Sequence, residues 1–407
     1  MRSELHHKDY RANDAAPLSG IRIVDLSRLV AGNVVTHVLA DFGADVIKVE
    51  RPQQGDDLRH WRVRDVPTYW KVYSRSKRSL TLDYRHPEGR ALLLRLVATA
   101  DALVENFIPG TLERLELGPD TLLATNPKLV IARISGWGQS GPFRTRPGFG
   151  SLVEAMSGFA AMNGFADRPP VLPPLALADM ITGLYGATGI MMALRHVEVR
   201  GGQGQVIDLS LFESILSVLG PGAANYALSG AAPVRHGSRS ATTAPRNVYR
   251  CQDGKYVALS ASMQGMAERL FRVIGRPDLI TDPRFATNTA RVENNDILDA
   301  IVAEFMQAHT QAENLALFGP AGVTVGPVLD PSELLTDPFV SERECLVELP
   351  DREMDRLPMH NVAMRLSETP GALARPAPEL GADNEAVLGA LGVTAAARAD
   401  LRTRGVI

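Results

Sequence analysis

Short apolar runs alternate with amphipathic stretches over the first third of the chain. The apolar runs predict strands at 21–26, 45–50, 79–82, 102–105 and 129–134. Helical patterns fill the spaces between them, most clearly over 34–42 and 87–98. Alternation of this kind is typical of a parallel, doubly wound sheet, in which ligands bind beyond the carboxyl ends of the strands. The predicted fold class is therefore α/β, with a Rossmann-like large domain.

A different pattern follows in the middle of the chain. Residues 220–245 are rich in glycine, proline and small polar residues, and 246–260 predict a hairpin with an Asp-Gly turn. Helical patterns then continue to about Phe318. These features predict a smaller α+β domain over 220–331, linkers included.

The large domain is predicted to occupy two stretches of the chain. The first is 17–219, which ends in a helical pattern over 208–219. The second is about 332–407, where strand-like pieces near 346–349 and 359–364 suggest that the chain returns to the large domain.

Size and composition limit the class of protein. A chain of 407 residues exceeds the size at which single cores split, so two domains are expected. With 45% hydrophobic residues, 22% charged residues and a net charge of −3, we expect an ordinary enzyme without nucleic-acid or membrane partners. The apolar run at 180–194 is too short to cross a bilayer and is interpreted as a buried core helix. Residues 1–16 are polar, lack an export signal, and are expected to form a flexible arm.

Several common chemistries are not indicated. The turn after the first strand, 27–33, lacks the glycines of a dinucleotide-binding GxGxxG motif. No Walker A, HExxH or GxSxG motif occurs, which argues against NTPases, zinc proteases and α/β-hydrolases. Cys251 and Cys345 lack metal-ligand spacing, so no metal site is predicted, and the thiols are expected to be reduced in the cytoplasm.

Asp179 is the first candidate for chemistry. It is the only charged residue between Arg168 and Arg195, in a segment that is otherwise apolar. A carboxylate in such surroundings must be hydrogen-bonded, paired or used, because burying it unsatisfied is costly. One interpretation is that Asp179 caps the helix that follows. The other is that it is a nucleophile, which the helix dipole would keep ionised.

The order of motifs resembles that of the class III CoA-transferases, the CaiB/BaiF family that includes formyl-CoA transferase, carnitine CoA-transferase and α-methylacyl-CoA racemase. The resemblance runs from about Pro17 to the C-terminus. It rests on LSGIRIVDL at 18–26, ADFGADVIKVER at 40–51, KRSLTLD at 77–83, PEG at 87–89, DALVENF at 101–107, PGTLER at 109–114, NP at 126–127, ISGWGQSGP at 134–142, AD at 178–179 and GQGQVID at 202–208. Each motif is weak alone, and the set is specific for the family.

The resemblance implies an activity and an assembly. The family nucleophile is an aspartate before a glycine-containing helix, which matches Asp179. Attack by this carboxylate on an acyl-CoA expels CoA thiolate and leaves an aspartyl mixed anhydride, and an aspartyl-CoA thioester follows on the route. The reaction needs coenzyme A as substrate but no ATP, metal or tightly bound cofactor. The family also forms intertwined homodimers, which we expect here.

The resemblance also implies which residues bind CoA. The matching positions are the backbone of Val30 and Ala31, and the side chains of Arg51, Lys77, Asn106, Phe107 and Arg114. For Lys77 and Arg114 the alternative is a solvated surface charge. For Phe107 the alternative is an aromatic side chain of the core.

A loop at 235–245 matches the segment with which the family covers its active site. It contains Gly237, which suits a moving loop. Arg239 and Arg246 lie in or beside it, and a guanidinium there would hold the distal carboxylate of a dicarboxylic donor such as succinyl-CoA. Alternatively, both arginines contact CoA or solvent.

Two other functions stay open. A 2-methylacyl-CoA racemase needs a base on each face of the substrate carbon. The family's racemases carry a His-Asp pair where this chain has Gly148, Phe149 and Gly150, and the nearby Glu154 is the alternative base. A CoA-binding paralogue without turnover is the second alternative, and the retention of Asp179 argues against it.

Overall fold

The structure is a computed structural model that describes residues 3–407, in two compact units. The first unit comprises the chain as far as Gly158, together with Pro173–Gly220 and Leu335–Ile407. The second comprises Phe159–Leu172 and Pro221–Leu334. The predicted division did not assign Phe159–Leu172 to the smaller unit.

The elements are as follows. The strands are β1 (Arg22–Asp25), β2 (Asp45–Glu50), β3 (Arg78–Thr81), β4 (Ala102–Glu105), β5 (Val130–Ser135), β6 (Val206–Ser210), β7 (Arg246–Arg250), β8 (Tyr256–Ser260), β9 (Thr324–Pro327), β10 (Leu346–Asp351) and β11 (Asp355–His360). The α-helices are α1 (Ala31–Asp41), α2 (Thr68–Tyr73), α3 (Pro87–Val97), α4 (Thr111–Arg114), α5 (Pro119–Thr125), α6 (Gly150–Met156), α7 (Phe159–Met162), α8 (Leu177–Arg200), α9 (Leu211–Ser217), α10 (Gly222–Ser229), α11 (Gln264–Val273), α12 (Asn288–Glu293), α13 (Asn295–Gln307), α14 (Gln311–Phe318), α15 (Pro331–Leu334), α16 (Pro338–Glu342), α17 (Asn384–Ala390) and α18 (Ala395–Thr403). Short 3₁₀ helices occupy Asp57–His60 and Pro277–Ile280.

The first unit is built on a six-stranded parallel sheet in the order β3-β2-β1-β4-β5-β6. This confirms the predicted α/β class. Within the sheet, β2 pairs with one edge of β1 and β3 lies beyond it. After β3 the chain crosses back, and β4 pairs with the other edge of β1. The order of strands therefore reverses between β1 and β4, and such a reversal opens a crevice at the carboxyl ends of the two strands.

Two glycines bring α1 and α8 close together. A Cβ atom at Gly183 would lie 2.4 Å from Val34 Cγ1, and one at Gly186 would lie 2.5 Å from Val35 Cγ2. Only residues without a side chain permit this approach. The glycines of the apolar segment are thereby explained, and the packing places the beginning of α8 beside that of α1.

Helix α8 is longer than its sequence pattern suggested. It has 24 residues rather than the 15 of the apolar run, with a mean hydropathy of 1.3 in its most apolar window. By length and composition it could therefore span a membrane, which corrects the expectation that the segment is too short. Of that window, 44% is buried within the structure, and core helices also reach this length and hydropathy.

Two other boundaries differ from their predictions. The helix predicted at 208–219 begins only at Leu211, because Val206–Ser210 pairs with β5 as the edge strand β6. The strand predicted near 359–364 is β11, which ends at His360 because it pairs with β10 in an antiparallel hairpin.

The predicted flexible arm is bound to the first unit in its described part, from residue 3 onward. The backbone N–H of Lys8 donates to the carbonyl of Glu348, and the N–H of Glu348 donates to the carbonyl of His6, at 2.9 and 3.0 Å. The side chain of Leu5 is buried. The prediction is corrected here because the segment adds backbone hydrogen bonds beside β10.

The second unit has its own sheet and core. Strands β7, β8 and β9 form an antiparallel sheet, and β7 and β8 are the hairpin that the sequence predicted. Its core includes Phe271, Phe285 and Phe318, all essentially inaccessible to solvent. The α+β character expected of the smaller domain is therefore present.

Candidate active site

A cleft of about 280 Å³ lies in the first unit, beyond the carboxyl ends of β1, β4 and β5. Asp179 lies in its wall, in the first turn of α8. The wall of the cleft also includes Arg28, Leu29, Ala31, Asp57, Asn106, Gly148, Phe149 and Leu211. The cleft is therefore at the edge of the sheet where the fold predicts a ligand.

The backbone N–H groups of Ala31, at the start of α1, and of Asp179 itself lie near the Asp179 carboxylate and act to lower its pKa. Burial, reinforced by the nearby charge of Glu154, raises the pKa of Asp179 from 3.8 to about 6. The helix N-terminus was expected to keep the carboxyl group ionised, and loss of solvation outweighs the backbone donors in setting its pKa. At neutral pH the group is still mostly ionised, and it is more basic than an ordinary aspartate.

The start of α6 leaves room for this carboxylate. A Cβ atom at Gly150 would lie 2.5 Å from Asp179 Oδ2, closer than any real contact permits. Gly136 and Gly148 also approach each other closely, since a Cβ atom on Gly136 would lie 2.6 Å from Gly148 Cα. The glycines at 148 and 150 therefore make room for the cleft and for the Asp179 carboxylate. From the sequence they were considered only as residues that cannot transfer a proton.

The residue that caps α8 is Glu154, not Asp179. Glu154 lies on α6 and is 2% exposed, and its Oε1 accepts the backbone N–H of Ala178 at 3.0 Å. Asp179 is the third residue of the helix, and the N-cap residue Ala176 makes no side-chain capping bond. The interpretation of Asp179 as the helix cap is therefore wrong, and its carboxylate is left to face the cleft.

The loop after β1 is held in an unusual conformation. Leu29 has a φ of 59°, which side-chain-bearing residues rarely adopt. Asn106 fixes the preceding residue from both sides, because its amide group accepts the N–H of Arg28 at 2.8 Å and donates to the Arg28 carbonyl at 2.7 Å. The Leu29 N–H donates to Asp56 at 3.0 Å. These bonds fix the loop that leads into α1, so that Ala31 lies in the same cleft wall as Asp179.

Lys77 does not reach the cleft, so its predicted contact with CoA is corrected. Its side chain is fully buried, with Nζ 2.8 Å from Asn33 Oδ1 and 3.4 Å from Asp25 Oδ2. Burial lowers the pKa of Lys77 to about 8. Lys48, equally buried, binds the same Asp25 at 3.2 Å. These buried charges stabilise the end of β1, and sequence alone did not distinguish this role from phosphate binding.

The other predicted CoA residues are dispersed. Ala31 and Asn106 line the cleft, but the Asn106 amide is already bonded to the backbone of Arg28. Phe107 is 9% exposed and packs in the core, as its alternative interpretation stated. Arg51 lines a separate hollow beside Tyr84, and the exposed Arg114 donates to Thr111 at 2.9 Å. Val30 is buried at the start of α1.

The predicted substrate loop belongs to the second unit. Gly237 has a φ of 65°, and a Cβ atom there would lie 2.5 Å from the ring of Phe165. Arg239 forms ion pairs with Asp299 and, at 2.5 Å, with Asp296, so its guanidinium is already occupied. Its predicted contact with a substrate carboxylate is corrected accordingly. Arg246 is exposed at the start of β7.

Arg28 was missed by the sequence prediction. It is the one basic side chain in the wall of the cleft among the described residues. Its Nη1 lies 3.3 Å from a half-exposed carboxylate, Asp57, and its buried Nε has no partner. Its guanidinium lies 5.8 Å from the centre of the Phe107 ring. A signal existed in the position of Arg28 directly after the first strand, where ligand-binding residues are common.

Comparison with known proteins gives consistent matches over nearly the whole chain. The model of CoA-transferase family III matches residues 18–384. The succinyl-CoA–D-citramalate CoA-transferase of Chloroflexus aurantiacus is 39% identical over 395 residues, which is 96% of this chain and 98% of that protein. The succinate–glutarate CoA-transferase of Agrobacterium fabrum is 36% identical over 388 residues, covering 93% and 96%. A crystal structure of a CaiB/BaiF family protein from Brucella suis is 35% identical, with a TM-score of 0.81 over 92% of this chain and 99% of that one.

Proposed function

Because the chain belongs to CoA-transferase family III, we propose that it moves CoA from a dicarboxylic acyl-CoA, such as succinyl-CoA, to a second carboxylic acid, with Asp179 as the nucleophile. The position of the Asp179 carboxylate carries this proposal. It is ionised at neutral pH, unpaired by any cation in residues 3–407, and open to the cleft where the fold binds ligands. Formation of a new acyl-CoA from succinyl-CoA and a second acid, without ATP, tests it.

Four exchanges complete the reaction. An oxygen of Asp179 attacks the thioester carbon, the C–S bond breaks, and CoA leaves as a thiolate. The thiolate then attacks the aspartyl carbonyl of the mixed anhydride, which releases the donor carboxylate and leaves an aspartyl-CoA thioester. The acceptor carboxylate attacks that thioester, which breaks its C–S bond, releases CoA thiolate and forms a second mixed anhydride. The thiolate finally attacks the acyl carbon of the acceptor, which breaks the anhydride and frees the Asp179 carboxylate. Each step conserves charge, so no further reactant is required.

The proposed substrate class is supported by relatives and by Arg28. The relatives named above act on succinyl-CoA or on succinate and glutarate. In succinyl-CoA the free carboxylate lies only a few bonds from the thioester carbon, whereas the CoA phosphates are at the far end of the pantetheine arm. A cation in the same cleft as Asp179 therefore suits the free carboxylate. Arg28 takes the role first predicted for Arg239.

Arg28→Gln is expected to weaken dicarboxylic donors selectively. The KM for succinyl-CoA should rise at least about tenfold, since a charged hydrogen bond is worth about 1.5–3 kcal/mol. Butyryl-CoA has the same chain length without the distal charge and should be nearly unaffected. Steady-state kinetics with both donors make the comparison. An equal loss for the two donors would show that Arg28 binds the CoA portion instead.

The two alternatives lack comparable support. A racemase needs two proton-transferring groups, yet among the described residues the cleft wall just before α6 consists of Pro147, Gly148 and Phe149, none of which transfers a proton. Glu154 is buried, and its Oε1 is bonded to the N–H of Ala178. A non-catalytic paralogue would have no need for Gly150, which keeps the space beside the Asp179 carboxylate open.

The contacts with the rest of CoA remain proposals. Arg51 and Arg114 form no ion pair within the described part of the chain, so both guanidinium groups are available for phosphates. Arg246, also exposed, is a further candidate. We propose that the enzyme acts in the cytoplasm.

An intertwined homodimer is also proposed, on the basis of family membership. Helix α8 supports it, because Leu184 and Met192 on this apolar helix are 57% and 69% exposed in the single chain. Sedimentation equilibrium at micromolar concentration should give the mass of two chains. The mass of one chain would contradict the proposal.

A further inference from the structure

We propose that Glu154 is a positioning residue, which anchors the start of α8 and whose negative charge favours the acylated form of Asp179. The inference rests on the proposed role of Asp179 as nucleophile. It assigns a function to a buried carboxylate that the reaction itself does not consume.

Both carboxylates lie close to one point at the start of α6. A Cβ atom built on Gly150 would lie 2.5 Å from Asp179 Oδ2 and 3.7 Å from Glu154 Oε1. The same Oε1 accepts the N–H of Ala178, the residue before Asp179, at 3.0 Å. Glu154 thus fixes the backbone from which the nucleophile projects, while its charge remains close to the Asp179 carboxylate.

No cation neutralises this pair. In residues 3–407 neither carboxylate forms an ion pair, and Glu154 is 2% exposed, so water screens its charge poorly. Arg28 and Asp57 line the same cleft and pair with each other at 3.3 Å. On α9, which packs against α6, Glu213 accepts the hydroxyl of Ser210. The repulsion between Glu154 and Asp179 therefore persists in the free enzyme, in keeping with the raised pKa of Asp179.

Acylation removes that repulsion. When Asp179 attacks the thioester, a C–O bond forms, the C–S bond breaks, and the negative charge leaves with the sulfur of CoA. The aspartyl group is neutral in the anhydride and in the aspartyl-CoA thioester. Glu154 therefore destabilises the free carboxylate relative to both intermediates, and it makes the attacking oxygen more basic.

Glu154→Gln separates charge from anchoring, because the amide oxygen can still accept the Ala178 N–H. In the unmodified enzyme the rate should fall below about pH 6, as Asp179 gains a proton. In the variant this acid limb should move to lower pH by at least half a unit. The fraction of enzyme held as aspartyl-CoA in the steady state should fall about threefold, the equivalent of half a pH unit.

Glu154→Asp is the matched control, since it keeps the charge and shortens the reach to Ala178. Its acid limb should stay near that of the unmodified enzyme, whatever its stability. A Glu154→Gln variant with an unshifted acid limb and an unchanged covalent fraction would overturn the proposal. If the unmodified enzyme forms no adduct on Asp179, the proposed function itself fails, so the two failures are distinguishable.

A measurement without mutation covers the case in which Glu154→Gln does not fold. In protein labelled with ¹³C at aspartate carboxyl groups, the resonance of Asp179 should titrate near pH 6 rather than near its ordinary value of 3.8. An Asp179 carboxyl group that titrates near pH 4 would overturn the inference equally.

Discussion

Asp179→Asn is expected to abolish CoA transfer. An amide cannot supply the carboxylate oxygen that forms the anhydride, and removal of an enzymatic nucleophile commonly lowers kcat by about 10⁴-fold or more. Transfer from succinyl-CoA to a second dicarboxylic acid, followed by chromatography of the acyl-CoA products, measures the loss. Activity within tenfold of the unmodified enzyme would remove Asp179 from the reaction.

The same substitution should make the fold more stable, which separates lost chemistry from lost structure. The pKa of Asp179 is about 6 in the folded protein against 3.8 without its environment. Between these two pKa values the folded state binds the carboxyl proton more tightly than the unfolded state does. The contribution of Asp179 to stability therefore falls as the pH rises and is lowest above pH 6. At neutral pH the buried charge lowers the free energy of unfolding by about 2–3 kcal/mol, and an uncharged asparagine avoids this loss. Thermal unfolding at pH 7 should show a higher Tm for the variant, and a much smaller gain at pH 4.

Gly150→Ala is expected to lower kcat by about 10²-fold, because the added methyl group would occupy the space of the nucleophile. Its Cβ would lie 2.5 Å from Asp179 Oδ2, so the carboxylate must move by about 1 Å, a displacement that can cost this much. The substitution removes no polar group, and the fold should persist. Steady-state kinetics and circular dichroism of the purified variant check both parts.

Gly189→Ala is the control for an added methyl group. Gly189 lies on α8, and a Cβ there would meet Ile207 at 3.6 Å, an ordinary contact. This variant should keep the activity of the unmodified enzyme and gain slightly in stability, since alanine favours a helix interior. Equal activity in Gly150→Ala and Gly189→Ala would show that the space beside Asp179 has no catalytic value.

Much of the fold followed from periodicity, because buried parallel strands separated by amphipathic helices leave a clear pattern. β2 and β4 begin and end where predicted. The edge strand β6 was missed because Val206–Ser210 leads without a break into the helix that begins at Leu211. Asp179 was identified as a candidate because a single charged residue in an apolar segment can be recognised from the sequence alone.

The rest of the site depends on contacts between distant segments. A lysine such as Lys77 looks like a phosphate ligand until Asp25 and Asn33 are seen around its ammonium group. Glu154 carried a weak signal, a single acid in the apolar stretch of α6, but its bond to Ala178 spans 24 residues. Sequence patterns therefore indicated the proposed nucleophile and left its supporting residues to the structure.

The most direct test of the account is the chemical trapping of the intermediate on Asp179. Enzyme incubated with succinyl-CoA is treated with hydroxylamine, digested, and analysed by mass spectrometry alongside Asp179→Asn. We predict a hydroxamate on the peptide that contains Asp179, dependent on succinyl-CoA and absent from the variant. New acyl-CoA formed by an enzyme with no such modification, or with the modification on another carboxylate, would contradict the assignment of Asp179 as the nucleophile.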